Sequence, residues 1–247
     1  MNALPDPVAI AESPHLLADI NRWLAGRSAE QRVAWALDAL AGTHALSSSF
    51  GAQAAVSLHL ATRLKPDIPV ILIDTGHLFA QTHRFAAELR DRLHLNLRIH
   101  HPHPHEAWPD ARVQRLRDGG REAIAAYNRV HKVDPMRRAL AELGVSTWIA
   151  GLRRSQSTTR RDIDFLELRN GRWKLHPLAD WSDRDVHTYL RQHALPYHPL
   201  WHEGYVTIGD VHSTRRWEPG LREEDLRHFG LRRECGLHFD DEAGRAA

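Results

Sequence analysis

From about residue 44 the chain alternates two hydrophobic rhythms. Short apolar runs read as strands, and the segments between them carry apolar residues at helical spacing. "HALSSSFG" (44–51) is a short strand running into a small-residue loop, and the helix "AQAAVSLHLATRL" (52–64) follows it. "IPVILID" (68–74) is unbroken in its hydrophobicity, the pattern of a strand buried on both faces. "TGHLFAQTHRFAAELRDRL" (75–93) is helical again, and "LNLRIH" (95–100) is a third strand. After a helical stretch around 121–143, "STWIAGL" (146–152) is a fourth. "WKLHPL" (173–178) is a fifth, ahead of the helix "SDRDVHTYLRQHA" (182–194). This alternation predicts a doubly wound, mainly parallel α/β sheet of five or six strands with helices on both faces.

Two helices precede that pattern. In "SPHLLADINRWLAG", Ser13 can cap, Pro14 suits the first turn, and Gly26 stops a face made of Leu16, Leu17, Ile20, Trp23 and Leu24. "SAEQRVAWALDALAG" opens with a capping-box pattern, Ser28 with Gln31, and ends at Gly42. The pair reads as a lid or packing layer without chemistry of its own. At the other end, the tail from Pro196 is rich in Gly, Pro, His and charge and is expected to wrap the core. There are no repeats and no low-complexity linker.

Composition narrows the picture only in part. The 33 Lys and Arg nearly balance the 31 Asp and Glu, so charge favours neither a nucleic acid nor a small anion. The single cysteine rules out an intramolecular disulfide and an all-cysteine metal or iron–sulfur site within the chain. No apolar run approaches the roughly 20 residues of a membrane span. The N-terminus lacks the basic and apolar regions of a signal peptide, so a reducing, cytoplasmic setting is expected.

Chemistry collects at the strand ends, where sheets of this kind bind ligands. In "SSSFGAQ" (47–53), hydroxyls and backbone N–H groups at a helix start suit a phosphate or sulfate, although a capped tight turn would look the same. No Gly-Lys-Ser/Thr follows, so it is not a Walker A loop. Asp74 and Thr75 of "IDTGHLF" end the second strand; Asp74 either meets a ribose hydroxyl or caps the next helix. "AGLRRSQSTTRRD" (150–162) interleaves four arginines with hydroxyl and amide side chains, a dense array of anion donors. The histidines of "IHHPHPHE" are read as surface residues, and no metal is assigned. Cys235, in "LRRECGLHFD", lies in a polar segment among Arg232, Arg233 and His238, which favour a thiolate, with Glu234 opposing them.

These segments, in this order, resemble the phosphoadenylyl-sulfate (PAPS) reductases, relatives of the PP-loop ATP pyrophosphatases. "SSSFGAQAAVSLHL", "IDTGHLF", "AGLRRSQS", "YHPLWHEGYVTIGDVHSTR" and "RRECGLH" match the family's blocks from about Ala45 to His238. The resemblance implies an adenine nucleotide alpha hydrolase-like fold. It further implies an N-terminal helical layer (1–43), a nucleotide-binding unit (44–209) and a mobile tail (210–247), within one domain overall.

The resemblance assigns the substrate to Ser47, Ser49, Gly51 and Gln53 of the first block and to Arg153, Gln156, Ser157 and Arg160 of the arginine loop. Asp74, Thr75, Lys132, Arg215, Arg232 and Arg233 complete that set. Cys235 is implied to be the nucleophile, with His238 beside it, forming an S-sulfonate that reduced thioredoxin (or glutaredoxin) resolves. A homodimer, no bound cofactor and no iron–sulfur cluster are also implied. In "YNRVHKVDPM", Asn128 and Arg129 stand where the cluster-bearing adenylyl-sulfate (APS) reductases have a cysteine pair. A cluster-free APS reductase is the alternative. An adenylating PP-loop enzyme would keep a Gly-Gly-x-Asp-Ser type of loop, which "SFGAQ" lacks. A nucleic-acid binder would interleave aromatics with its arginines.

Overall fold

The computed structural model describes residues 10, 13–232 and 234–238. Its strands are β1 (Thr43–Ser47), β2 (Pro69–Ile73), β3 (Asn96–His100), β4 (Val145–Ala150), β5 (Leu166–Arg169) and β6 (Arg172–Leu175). They form one sheet in the order β3-β2-β1-β4-β6-β5. Every pairing is parallel except that of β5 with β6. The helices are α1 (Pro14–Ala25), α2 (Ala29–Ala39), α3 (Ala55–Leu64), α4 (Ala80–Leu93), α5 (Asp110–Gln114), α6 (Gly120–Asn128), α7 (Asp134–Glu142) and α8 (Asp183–Gln192). This is the doubly wound, mainly parallel fold that the alternation predicted, with six strands where five or six were expected.

Side chains alternate across the strands, as a period of two requires. Leu46, Val70, Leu72 and Ile149 enter the larger core with residues of α1, α2, α3 and α4. Their neighbours Ala45, Ile71, Ile73 and Trp148 face the other way, against Met136, Ala139 and Leu140 of α7. Both faces are therefore dry, which is why β2 is apolar throughout.

The sequence reading missed β5. It is four residues long and joined to β6 by Asn170-Gly171, both at positive φ (49° and 71°). An Asn-Gly pair between short alternating runs is a strong hairpin signal. Helix α4 begins at Ala80, five residues later than expected, because Thr75–Phe79 form the loop that meets the site. The stretch 121–143 is interrupted by one π-helical turn, Arg129–Val133, between α6 and α7.

Helices α1 and α2 are tied to the far side of the sheet. Arg32, 1% exposed, donates to both carboxylate oxygens of Asp180 (2.6 and 2.8 Å) and to the carbonyls of Leu24 and Pro177. The amide of Asn21 brackets Leu166 on β5: Nδ2 donates to its carbonyl and Oδ1 accepts its N–H, both at 2.8 Å. Ser28 and Gln31 form the expected capping box, whereas Ser13 makes no side-chain cap.

Candidate functional site

The strand order reverses about β1. The chain winds outward through β2 and β3 on one side, then returns through β4 on the other, leaving a crevice beyond the carboxyl ends of β1 and β4. Ser47 and Ala150 end these strands in register, so the loops that follow emerge side by side. Gly151 makes this approach feasible: a Cβ there would lie 2.9 Å from Ser57 Oγ on α3. The first loop is held from beneath, because Trp148 Nε1 donates to Ser47 Oγ at 2.7 Å. Phe50, fully buried at φ 49°, takes a left-handed conformation that a bulky residue rarely adopts. Ser48 Oγ accepts the Phe50 N–H at 3.1 Å, and no side chain caps α3.

In the second loop the arginines are engaged by protein groups. Arg153, 4% exposed, donates through Nη2 to Gln53 Oε1 (2.6 Å) and Asp183 Oδ1 (2.9 Å). Arg154 Nε donates to the Ile163 carbonyl, and its guanidinium lies over the Phe165 ring. Gln156 Oε1 accepts from the Arg153 N–H (3.1 Å) and from Arg160 Nη1 (2.5 Å). Arg160 grips Glu234 with a fork, Nε to Oε1 and Nη2 to Oε2, each at 2.8 Å.

A third wall is built around Asp210, which is completely buried. Lys132 Nζ lies 2.6 Å from Oδ2, Thr75 Oγ1 donates to Oδ1 at 2.6 Å, and Tyr127 OH donates to Oδ2 at 3.3 Å. Burial disfavours the Asp210 carboxylate, but the charge and hydrogen bond of Lys132, with that of Thr75, outweigh it and hold the carboxyl far below its usual range. The π-helical turn lets the adjacent residues His131 and Lys132 both be buried. Burial lowers His212 to about 4 and pushes His228 well down, so both rings are neutral near pH 7. Arg227 also borders this wall and makes no ion pair among the described residues; its Nε is buried without a partner.

The Cys235 segment closes the crevice. Lys174 Nζ donates to the His238 carbonyl at 2.7 Å, and the His238 ring stacks on Trp148, centroids 5.1 Å apart. Enclosure beside Lys174 pushes His238 well below its ordinary range, so it is a neutral ring. This corrects the expectation that His238 adds positive charge beside the thiol. Arg232 does not aim its Nε at the sulfur; it donates to the Glu234 carbonyl at 2.8 Å.

The three loops and this segment surround a cleft of about 340 Å³. From the sequence-predicted set, Ser47, Ser49, Gly51 and Gln53 line it on one side and Arg153, Gln156 and Arg160 on another. Thr75, Lys132, Cys235 and His238 complete the wall. Asp74 does not line it and does not cap α4, which starts after Phe79 without a side-chain cap; its Oδ1 instead accepts the Gly76 N–H at 2.9 Å within the loop. Ser157 faces Glu234, Arg215 is exposed with its N–H on the Leu226 carbonyl, and Arg232 does not line the cleft. Arg233 lies outside the described residues. Sequence reasoning missed Asp210, Arg227 and the role of Glu234. The Asp210 signal was an acidic residue inside the apolar-flanked "TIGDVHS".

Residues 43–216 match the family model described as the phosphoadenosine phosphosulfate reductase domain. A "Phosphoadenosine 5'-phosphosulfate reductase" from Xanthomonas campestris pv. campestris is 57% identical over 240 residues, covering 97% of this chain and 100% of the relative. One of the same name from Vibrio parahaemolyticus is 56% identical over 91% of this chain and 87% of its own. The crystal structure of a PAPS reductase from Candida auris, in a phosphate complex, superposes with a TM-score of 0.67 at 28% identity, over 80% of this chain and 95% of that one. An FMN adenylyltransferase from Candida glabrata shares the fold alone, at a TM-score of 0.56 and 16% identity, over 78% of this chain and 66% of that one.

Proposed function

Because the chain belongs to the phosphoadenosine phosphosulfate reductase family, we propose that it carries out the family's reaction by a route divided between two proteins. Reduction of PAPS in sulfate assimilation is its function. In the proposed route the nucleotide lies across the ends of β1 and β4, with the sulfate group toward Cys235. Cys235 Sγ attacks the sulfur; an S–S bond forms and the S–O bond to the phosphate breaks. The electron pair leaves with adenosine 3′,5′-bisphosphate, and Cys235 keeps an S-sulfonate. One thiolate of an external dithiol of the thioredoxin or glutaredoxin type then attacks Cys235 Sγ and expels sulfite. The second thiol resolves the mixed disulfide, so the dithiol is oxidised by two electrons and Cys235 is restored.

The observation that carries this reading is the position of Cys235. The only thiol in the chain lies on the wall of the cleft that both strand-end loops border. A thiolate approaching a sulfate meets anionic oxygens, and Arg227, which makes no ion pair among the described residues, offsets that repulsion from the cleft wall, with Lys132 and Arg153 as further donors. With one cysteine per chain, the second thiol must come from elsewhere.

The test is sulfite release from PAPS by the purified protein with reduced thioredoxin. Cys235→Ser is expected to reduce it to background, and PAPS without dithiol is expected to leave one sulfonate per Cys235, read by intact mass. Sulfite release by the serine variant would sink the nucleophile assignment, and faster turnover of APS than of PAPS would sink the substrate assignment.

A further inference from the structure

Glu234 stands out because its chemistry is opposite to what a thiolate neighbour should be. A carboxylate beside the nucleophile would repel both the thiolate and an anionic substrate, yet this one is buried (11% side-chain exposure) and fully engaged. Ser157 Oγ donates to Oε1 at 3.1 Å, Thr159 Oγ1 at 2.9 Å and Arg160 Nε at 2.8 Å, while Arg160 Nη2 takes Oε2 at 2.8 Å. Burial opposes its ionisation, but Arg160 and the two hydroxyls prevail and hold the carboxyl below its usual range.

We propose that Glu234 is the residue that positions Cys235, and that the Ser157, Thr159 and Arg160 end of the arginine loop is a receptor for this carboxylate and not a phosphate site. The proposal rests on Cys235 being the nucleophile. Two anchors bracket the thiol. Glu234 is one, and the other is His238, held by Lys174 and stacked on Trp148. Each leads back to the loop after β1. From Glu234 the path runs through Arg160, Gln156 and Arg153 to Gln53. From His238 it runs through Trp148 to Ser47. Cys235 is thus seated against the same loop that borders the nucleotide cleft. Pairing also neutralises Glu234, so the docked segment presents the thiol without a net anion beside it.

The arrangement has a chemical consequence. A fork–fork arginine–carboxylate pair fixes direction as well as distance, and lysine does not replace it. Loosening it leaves the nucleotide's contacts in place and disturbs the approach of sulfur to sulfur, so the loss falls on kcat and not on KM.

The experiment uses two variants of the full chain, Glu234→Gln and Arg160→Lys, with two readouts. In the first, Cys235 alkylation by iodoacetamide is followed without substrate, with rates compared on the high-pH plateau so that altered charge beside the thiol does not enter. Both variants are expected to react at least about fivefold faster than wild type, because the segment leaves its dock. In the second, kcat for sulfite release is expected to fall about 10- to 100-fold while KM for PAPS changes less than about threefold. An unchanged alkylation plateau would overturn the anchor. So would an Arg160→Lys variant whose KM rises tenfold at unchanged kcat, which would return Arg160 to the substrate. Failure of the nucleophile reading is separately visible, as sulfite release by Cys235→Ser, and leaves the alkylation comparison intact.

Discussion

Replacing Lys132 by methionine removes one charge from the wall of the cleft while keeping most of the side-chain volume. The Met packs where the lysine stem lay, so the cavity contribution is small. The cost comes from Asp210, which is 0% exposed and whose nearest cation stands 2.6 Å away. Stranding a buried carboxylate costs about 3–5 kcal/mol. Thr75 and Tyr127 still donate to it, which places the expected loss near the lower figure, about 3 kcal/mol. The sign with pH is distinctive. In the wild type the Asp210 carboxyl is held down, so its contribution is present above the unfolded carboxylate range and is lost only as pH falls through the folded value. In Lys132→Met burial is no longer opposed by the Lys132 charge and hydrogen bond, the carboxyl rises, and the variant gains stability as Asp210 takes up a proton. The deficit therefore shrinks between pH 7.5 and 5.5, by at most about 1.4 kcal/mol per pH unit. Urea unfolding of Lys132→Met and of Lys132→Met/Asp210→Asn at both pH values measures this. The double variant is expected to recover most of the loss, since no charge is left unpaired. A single-variant loss under about 1 kcal/mol, a deficit independent of pH, or a double variant as unstable as the single one would refute the reasoning.

Two further outcomes follow from named contacts. His198 is completely buried; its Nδ1 accepts the Leu200 N–H at 3.1 Å, and burial lowers it to about 4. The unfolded ring takes a proton near 6.5 and the folded ring does not, so stability is full above 6.5 and falls as pH drops from there toward 4, by up to about 3 kcal/mol. Thermal midpoints measured across that window should fall less steeply in His198→Asn, which keeps an acceptor but does not titrate; equal slopes would count against the assignment. At Gly209 an added Cβ would sit 2.1 Å from Arg227 Nη2, so Gly209→Ala must push the guanidinium aside. Unfolding stability is expected to stay within about 1 kcal/mol, since the far end of a flexible side chain moves, while KM for PAPS rises about tenfold. An unchanged KM would remove Arg227 from the substrate's surroundings.

The fold was legible where one physical signal dominated. Buried parallel strands need apolar residues on both faces, so β1, β2 and β4 announced themselves, and the Ser28 capping box placed the start of α2. Strand β5 was harder because it is short and half-polar, and its only clear mark is the Asn170-Gly171 turn. The site divided along the same line. Ser47, Gln53 and Arg153 reach the cleft because strand ends and their loops converge there, whereas Cys235 is brought to it by the C-terminal segment. What sequence could not convey is which charges neutralise one another: Arg160 is paired with Glu234, and Lys132 is matched by Asp210, 78 positions along the chain. Such pairings depend on long-range chain return, which spacing does not encode. His238 illustrates a third case, since its charge state follows from enclosure and not from its neighbours in sequence.

The clasp between Asn21 and Leu166 bears on how the sheet ends. Strand β5 is the outermost member of the sheet, and an outermost strand offers unpaired N–H and C=O groups to any extended peptide that arrives. One side-chain amide satisfies both groups of Leu166, as a neighbouring strand would, and the body of α1 stands behind it. At that register position α1 stands where an added strand would otherwise pair, so the edge offers no free pair of backbone groups at Leu166.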